Sequence, residues 1–245
     1  MIKGNPAMSL TRRIFSALAL SSGLVLAACG GSGNPAGTTT SEDRMIGSAD
    51  APVTMIEYAS VACGHCATFH EEVWPMLEAD YIETGQVNFT LREMITGSPQ
   101  FAMAGFALAH CVADDRYYDM VDLLFQQQEA IFRSASQPGG ARAQYLAIAR
   151  SMGLSEAEFN ACLSNEDISA SIVASHERAG DAGITGTPRF LFNGELLDSE
   201  RNPNGEGFVY TLGGDLLMID GETVPAVVDA ETFGRILDHL IAEAG

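Results

Sequence analysis

The stretch Val53-Thr54-Met55-Ile56-Glu57-Tyr58, followed within a few residues by Cys63-Gly64-His65-Cys66, decides how this chain is read. The first run is β-branched and aromatic, opens after Asp50-Ala51-Pro52, and predicts a strand. From Ala67 to Glu83, Phe69, Val73, Leu77 and Tyr81 recur at helical spacing, so Cys63 falls between a strand and a helix N-terminus. Pro75 predicts a kink in that helix. Gly85 ends it, and Val87-Asn88-Phe89-Thr90-Leu91 alternates as a second strand. A strand–helix–strand unit of this kind is most simply a parallel crossover.

Working outward, residues 98–182 lack strand-like runs and carry apolar residues at helical spacing. They predict helices at roughly 99–113, 115–132, 141–152 and 155–180, the last with a possible break near Ser164-Asn165. Ser155 and Glu158 form a capping box. Strand character returns at Arg189-Phe190-Leu191-Phe192, and Asn193-Gly194 is a hairpin turn with Glu195-Leu196-Leu197 as the partner strand. Residues 199–228 read as an extra hairpin around Phe208–Leu212 and Leu216–Ile219, with no function attached. Asp229 caps a final amphipathic helix with Phe233, Ile236, Leu237, Leu240 and Ile241 on one face.

The 245 residues, 47% apolar, suffice for one domain with a real core. A formal charge of −19 speaks against nonspecific binding to nucleic acid or an anionic membrane. At the N-terminus, Arg12-Arg13 precede an apolar stretch, Ile14 to Ala28, of signal-peptide length and too short to be read as a membrane span. The stretch ends Leu26-Ala27-Ala28-Cys29, which resembles a bacterial lipobox with Cys29 as the lipidated residue; cleavage at a nearby small-residue site, giving a soluble exported protein, is the alternative. Thr11-Arg12-Arg13-Ile14-Phe15 also resembles part of a twin-arginine signal. The expected organisation is a signal peptide at 1–28, a Gly/Ser/Thr-rich tether at 29–44 and a folded domain at 45–245. Removal of 1–28 would take Lys3, Arg12 and Arg13 with it and leave a formal charge of −22.

With Cys29 lipidated, four cysteines remain. Cys63 and Cys66 pair by spacing, which leaves Cys111 and Cys162 for each other as an expected structural disulfide in an oxidising compartment. Two small buried thiols are the alternative. A lone C-x-x-C can serve zinc, haem or redox chemistry. Zinc needs four ligands, and no second pair or spaced histidines are evident. Haem attachment needs His at position 67, which is Ala. A helix N-terminus stabilises a thiolate, which favours redox. A purely structural disulfide between Cys63 and Cys66 is the competing reading. His70, His110, His176 and His239 read as surface or packing residues.

The order of elements, with Cys63-Gly64-His65-Cys66, Gly186-Thr187-Pro188 before the hairpin, and Glu57 six residues before Cys63, resembles the DsbA family over roughly Met45 to Ala244. The Gly64-His65 dipeptide departs from the Pro-His common in that family and is like that of protein disulfide isomerase. The resemblance implies an α/β, thioredoxin-like fold with an inserted all-helical subdomain, and thiol–disulfide oxidoreductase activity with no cofactor beyond the Cys63–Cys66 disulfide. It implies Cys63 as nucleophile, Cys66 as resolving thiol and His65 as a contributor to thiolate stability. Glu57 would be a buried acid that shuttles a proton for Cys66, although alternation alone leaves it free to face outward. Pro188 would be a cis-proline that sets the Thr187 backbone beside Cys63 for pairing with extended substrate. Implied partners are reduced exported proteins and a reoxidising protein, with the enzyme a lipid-anchored monomer in the periplasm or cell envelope. An isomerase or reductase, and a Cu(I)-binding lipoprotein using both thiols, are the alternatives.

Overall fold

In the computed structural model, residue 37, residues 39–40 and residues 42–245 are described. The chain divides into two units, Met1–Ser32 and Gly33–Gly245. The first lies outside the described residues, as do the signal peptide expected at 1–28, with Arg12 and Arg13, and the expected lipidation site Cys29. The description below concerns the second.

Strand β2 (Val53–Ala59) is buried along nearly its whole length, because it lies inside a sheet covered on both faces. The sheet also contains β1 (Met45–Ile46), β3 (Val87–Glu93), β4 (Arg189–Phe192), β5 (Glu195–Arg201), β6 (Phe208–Leu212) and β7 (Asp215–Leu216), in the order β1-β3-β2-β4-β5-β6-β7. β2 and β3 are parallel and every other pairing is antiparallel. In register, Glu57 of β2 sits between Leu91 of β3 and Phe190 of β4.

The crossover from β2 to β3 is α1 (Gly64–Glu72), α2 (Trp74–Met76) and a π-helical turn at Leu77–Ile82. Pro75 lies in α2, and the helical run breaks at Val73 just before it, as a residue without an N–H and with a clashing ring requires. The helical segment comprises α3 (Pro99–Ala109), a 3₁₀ turn at Asp114–Arg116, α4 (Tyr117–Gln126), α5 (Gln128–Ser134), α6 (Gly140–Ser151), α7 (Glu156–Leu163) and α8 (Glu166–Asp181). One expectation changes here, and the break expected near Ser164-Asn165 is present. The single helix expected at 115–132 is divided at Gln127, and the one expected at 155–180 restarts at Asn165, whose side chain accepts from the N–H groups of Asp167 and Ile168. The Ser155–Glu158 capping box opens α7. The closing helix is α9 (Ala230–Ala244), capped by Asp229.

The sheet has two unlike faces. Val53, Met55 and Ala59 join the main core with Phe69 of α1, Phe106 of α3, Leu124 of α4 and Phe233 of α9. Ile56 and Tyr58 point the other way, into a smaller cluster with Ala179 of α8, Ile184 and Leu191. By the alternation of a strand, Glu57 shares the face of Met55 and Ala59, beneath α1.

Residues 199–228 are not a free-standing hairpin. β5, β6 and β7 lengthen the main sheet, and a small pair, β8 (Met218–Ile219) with β9 (Glu222–Thr223), folds back over it. Tyr210, Leu217, Ile219 and Val224 are buried in the main core, and Tyr210 meets the Phe233 ring edge-on.

Candidate active site

Four short segments converge on the end of β2. Cys63 is the N-cap of α1, in extended conformation, with its carbonyl accepting from Ala67 N–H. α1 has no acidic residue in its first turn, so nothing neutralises the positive end of its dipole. Cys63 is partly exposed and Cys66, one turn on, is fully buried; both are free thiols.

The two sulfurs have opposite surroundings. The Cys66 thiol hydrogen-bonds the Cys63 sulfur, and the Thr187 side chain and the backbone N–H groups of Cys66 and His65 add to that support. Together they outweigh desolvation and bring Cys63 down to about 5. Burial pushes the Cys66 thiol up, and the neighbouring Cys63 and the Glu57 carboxylate push it further. His65 itself is exposed, and its contribution to Cys63 is its backbone N–H.

Thr187-Pro188 joins the site through a cis peptide bond. As a thiol, Cys63 donates to the Thr187 carbonyl at 3.4 Å. The Thr187 hydroxyl bonds that of Thr96 at 2.6 Å, and Ser60 Oγ donates to the Thr96 carbonyl at 3.0 Å. Beside Pro188 is an open cavity of about 250 Å³ lined by His65, Arg189, Leu197, Ser199 and Tyr210, so the 199–228 segment supplies part of its wall.

Glu57 is fully buried on the core face of β2, and the outward-facing alternative does not apply. Desolvation raises its pKa, and the neighbouring His70, which hydrogen-bonds it, opposes the rise. His70 is not a surface or simple packing residue. Its Nε2 lies 3.0 Å from Glu57 Oε2, and both side chains are essentially inaccessible. Cys66, Phe69 and His70 are the buried positions of α1, so the chain returns His70 to Glu57 one turn after Cys66.

Two further residues escaped the sequence reading. Gln128, at the start of α5, donates to the carbonyls of Val61 at 2.9 Å and Cys63 at 3.1 Å. Gly97 has φ +71°, and a Cβ there would run into the Ala62 carbonyl. Only glycine suits both conditions, so it lets the loop after β3 pass against the turn before Cys63. A glycine after a strand is a visible signal; the glutamine had none.

Cys111 and Cys162 lie away from the thiol pair and are joined by a disulfide that links the end of α3 to α7. His110 pairs with Glu93 at 2.8 Å, and His176 Nδ1 accepts from Ile95 N–H at 3.4 Å. Among the described residues, no three His, Cys, Asp or Glu side chains are grouped to hold a metal ion, and no helix is long and apolar enough to cross a membrane.

Residues 39–206 match the family model described as thioredoxin. A Rickettsia conorii protein provisionally named a protein-disulfide oxidoreductase is 29% identical over 155 residues, 62% of this chain and 53% of that protein. The Bacillus subtilis protein named disulfide bond formation protein D is 26% identical over 97 residues, 39% of this chain and 44% of its own length. The chain thus spans about half the length of the curated relatives it matches. In structure it is similar to Wolbachia pipientis α-DsbA1, with a TM-score of 0.66, 24% identity, and coverage of 86% of this chain and 97% of that one. The helical segment between β3 and β4 and the cis-proline loop facing a CxxC helix are thus parts of one known architecture: the chain belongs to the thioredoxin family and has the fold of the DsbA proteins.

Proposed function

We propose that this protein is an extracytoplasmic thiol–disulfide oxidoreductase that introduces disulfides into exported proteins. The observation that carries the reading is the division between a partly exposed Cys63 with a pKa near 5 and a buried Cys66 whose thiol is favoured. A substrate thiolate attacks Cys63 Sγ of the oxidised pair, the Cys63–Cys66 bond breaks, and its electron pair goes to Cys66, which takes up a proton. A second substrate thiolate attacks the substrate sulfur of the mixed disulfide, and Cys63 leaves as a stable thiolate. A stabilised thiolate stabilises the dithiol enzyme, which makes the disulfide form the stronger oxidant.

The Thr187 backbone, next to Cys63, supports extended substrate chains by main-chain pairing, and the cavity beside Pro188 accepts a neighbouring side chain. Glu57 exchanges a proton with Cys66. Partners are reduced exported proteins and a disulfide-bearing protein that reoxidises the pair. No further cofactor is required. A signal peptide at 1–28, lipid on Cys29 and a tether to residue 44 would hold a monomeric domain at the cell envelope. The names carried by the Rickettsia and Bacillus relatives support the chemistry.

The test is the equilibrium potential of Cys63–Cys66 in glutathione buffer. A value of about −120 to −180 mV supports an oxidase; one near about −270 mV, like thioredoxin's, overturns that direction in favour of a reductase. Mass spectrometry of the membrane fraction, with a diacylglyceryl group found or missing on Cys29, decides the anchor.

A further inference from the structure

The proton that reaches Cys66 has to come from somewhere, and Glu57 has no direct route to water because its side chain is completely enclosed. One oxygen, Oε2, is taken by His70; the other, Oε1, has no protein hydrogen-bond partner among the described residues. On the far side of the His70 ring, Nδ1 is equally buried and equally without a protein partner. Two unpartnered polar atoms in so small a volume of core are costly unless they have work. The ring cannot turn to relieve them. Phe125 of α4 stacks on it at 3.9 Å between centroids, and Trp74 of α2 stacks at 5.1 Å.

Beyond His70 lies a cavity of about 630 Å³, open to solvent and lined by His70 itself. Acidic side chains line it from four elements, Glu71 from α1, Glu78 from the π-helical turn, Asp122 from α4 and Glu129 from α5, and α2 adds Trp74 and Pro75. On the inner side the titratable groups near the pair are Glu57, Cys66, Cys63 and Tyr118. Burial raises the pKa of both Glu78 and Asp122, so each can hold a proton at a pH where an exposed carboxylate cannot. The His70 side chain, 1% exposed, thus stands between a sealed carboxylate and an acid-lined recess that the residue helps to line.

We propose that His70 is the proton relay of this site, passing protons between the solvent-filled acidic cavity and Glu57, and through Glu57 to the Cys66 sulfur. The proposal rests on the thiol–disulfide reading above and deepens it. When a substrate thiolate opens the Cys63–Cys66 bond, Cys66 leaves as thiolate and takes the Glu57 proton. Glu57 regains one from Nε2–H of His70, while Nδ1 accepts one from the cavity. The histidine ends neutral, with its proton on the other nitrogen. When a disulfide-bearing oxidant reoxidises the pair, Cys66 gives its proton back to Glu57, Nε2 is reprotonated and Nδ1 releases its proton outward. The two half-reactions restore the starting tautomer, so one imidazole suffices for a full cycle without turning. His70 touches no reacting sulfur and acts through Glu57.

The experiment measures how fast a dithiol peptide reduces the oxidised pair, by stopped flow, from about pH 5 to 8, in wild type, His70→Ala and His70→Gln. Loss of the relay is expected to slow reduction roughly 100-fold and flatten its pH dependence in both variants. Imidazole added to His70→Ala should restore the rate, and pyrrole, of the same shape but not basic, should not. His70→Gln places an amide nitrogen where Nε2 stands and retains a hydrogen bond to Glu57, so a wild-type rate and pH profile in that variant would overturn the relay. So would equal rescue by both heterocycles, which marks a filling role only. Should neither variant fold, a solvent isotope effect on wild-type reduction that disappears in Glu57→Gln supports the relay, and an effect of unity in wild type overturns it. A wild-type pair that exchanges with no thiol would instead bring down the oxidoreductase reading itself.

Discussion

The side-chain amide of Gln128 donates to the main-chain carbonyl of Cys63 at 3.1 Å, across 65 positions of sequence. The same amide holds the Val61 carbonyl, so one side chain of the helical segment clamps both ends of the turn that presents the nucleophile. Gln128→Leu keeps the volume and leaves the Val61 carbonyl without its donor, while the Cys63 carbonyl keeps only the Ala67 N–H. Each buried unpaired group costs about 1–3 kcal/mol, so urea denaturation should show a loss within that range or slightly above it. Reactivity of Cys63 with a small alkylating agent should change in the same variant, since the turn is no longer held.

The Cys63 thiolate should titrate with a midpoint of about 5, followed by its ultraviolet absorbance in the reduced protein. The hydrogen bond from Cys66 is the largest support of that thiolate, so Cys66→Ala should move the midpoint upward. Stability follows with a definite sign. A depressed folded-state pKa contributes stability that is complete above the unfolded value of about 8.5 and disappears as pH falls through about 5. Reduced wild type should therefore lose stability relative to Cys63→Ser over that interval, while oxidised wild type should show no such slope.

Glu57 has the opposite sign. Its pKa is raised by burial, so whatever it contributes is complete below the unfolded value of about 4.3 and is lost as pH climbs through the raised one. Measured on the oxidised protein, Glu57→Gln should gain on wild type as pH rises. Glu57→Leu removes the acceptor for His70 and leaves a buried ring N–H unpaired, with an expected cost of about 1–3 kcal/mol.

Loss of the Cys111–Cys162 bridge should act on stability and spare the thiol chemistry. The bridge closes a loop between positions 51 apart, which the chain-entropy model values at about 4 kcal/mol. The double variant Cys111→Ala/Cys162→Ala should lose about that much in guanidinium unfolding while the Cys63 midpoint remains near 5.

How much of this was legible beforehand depends on distance along the chain. The β2 strand, the break at Pro75, the Ser155 capping box, the Asn193-Gly194 turn and the Asp229 cap are signals within a few residues, and the structure contains each. The Glu57–His70 pair joins a strand to a helix, and becomes visible only once α1 is known to lie across the face of β2 that carries Glu57. Alternation could not choose that face, because both faces of a central strand are covered. Gln128 reads as any glutamine at a helix start until the turn it holds is in place. The two-residue β1 is too short for a periodicity to register, and the residues after Ser199 looked like a separate hairpin because edge addition to a sheet leaves no local mark.

Trp74 has so far been one face of the stack that holds His70. It is also the only tryptophan of the chain. Indole emission depends on the groups packed against the ring, so the protein has its own built-in fluorophore at the one place where proton movement is at issue. No label, and no second tryptophan to subtract, stands between an ordinary fluorimeter and the surroundings of His70.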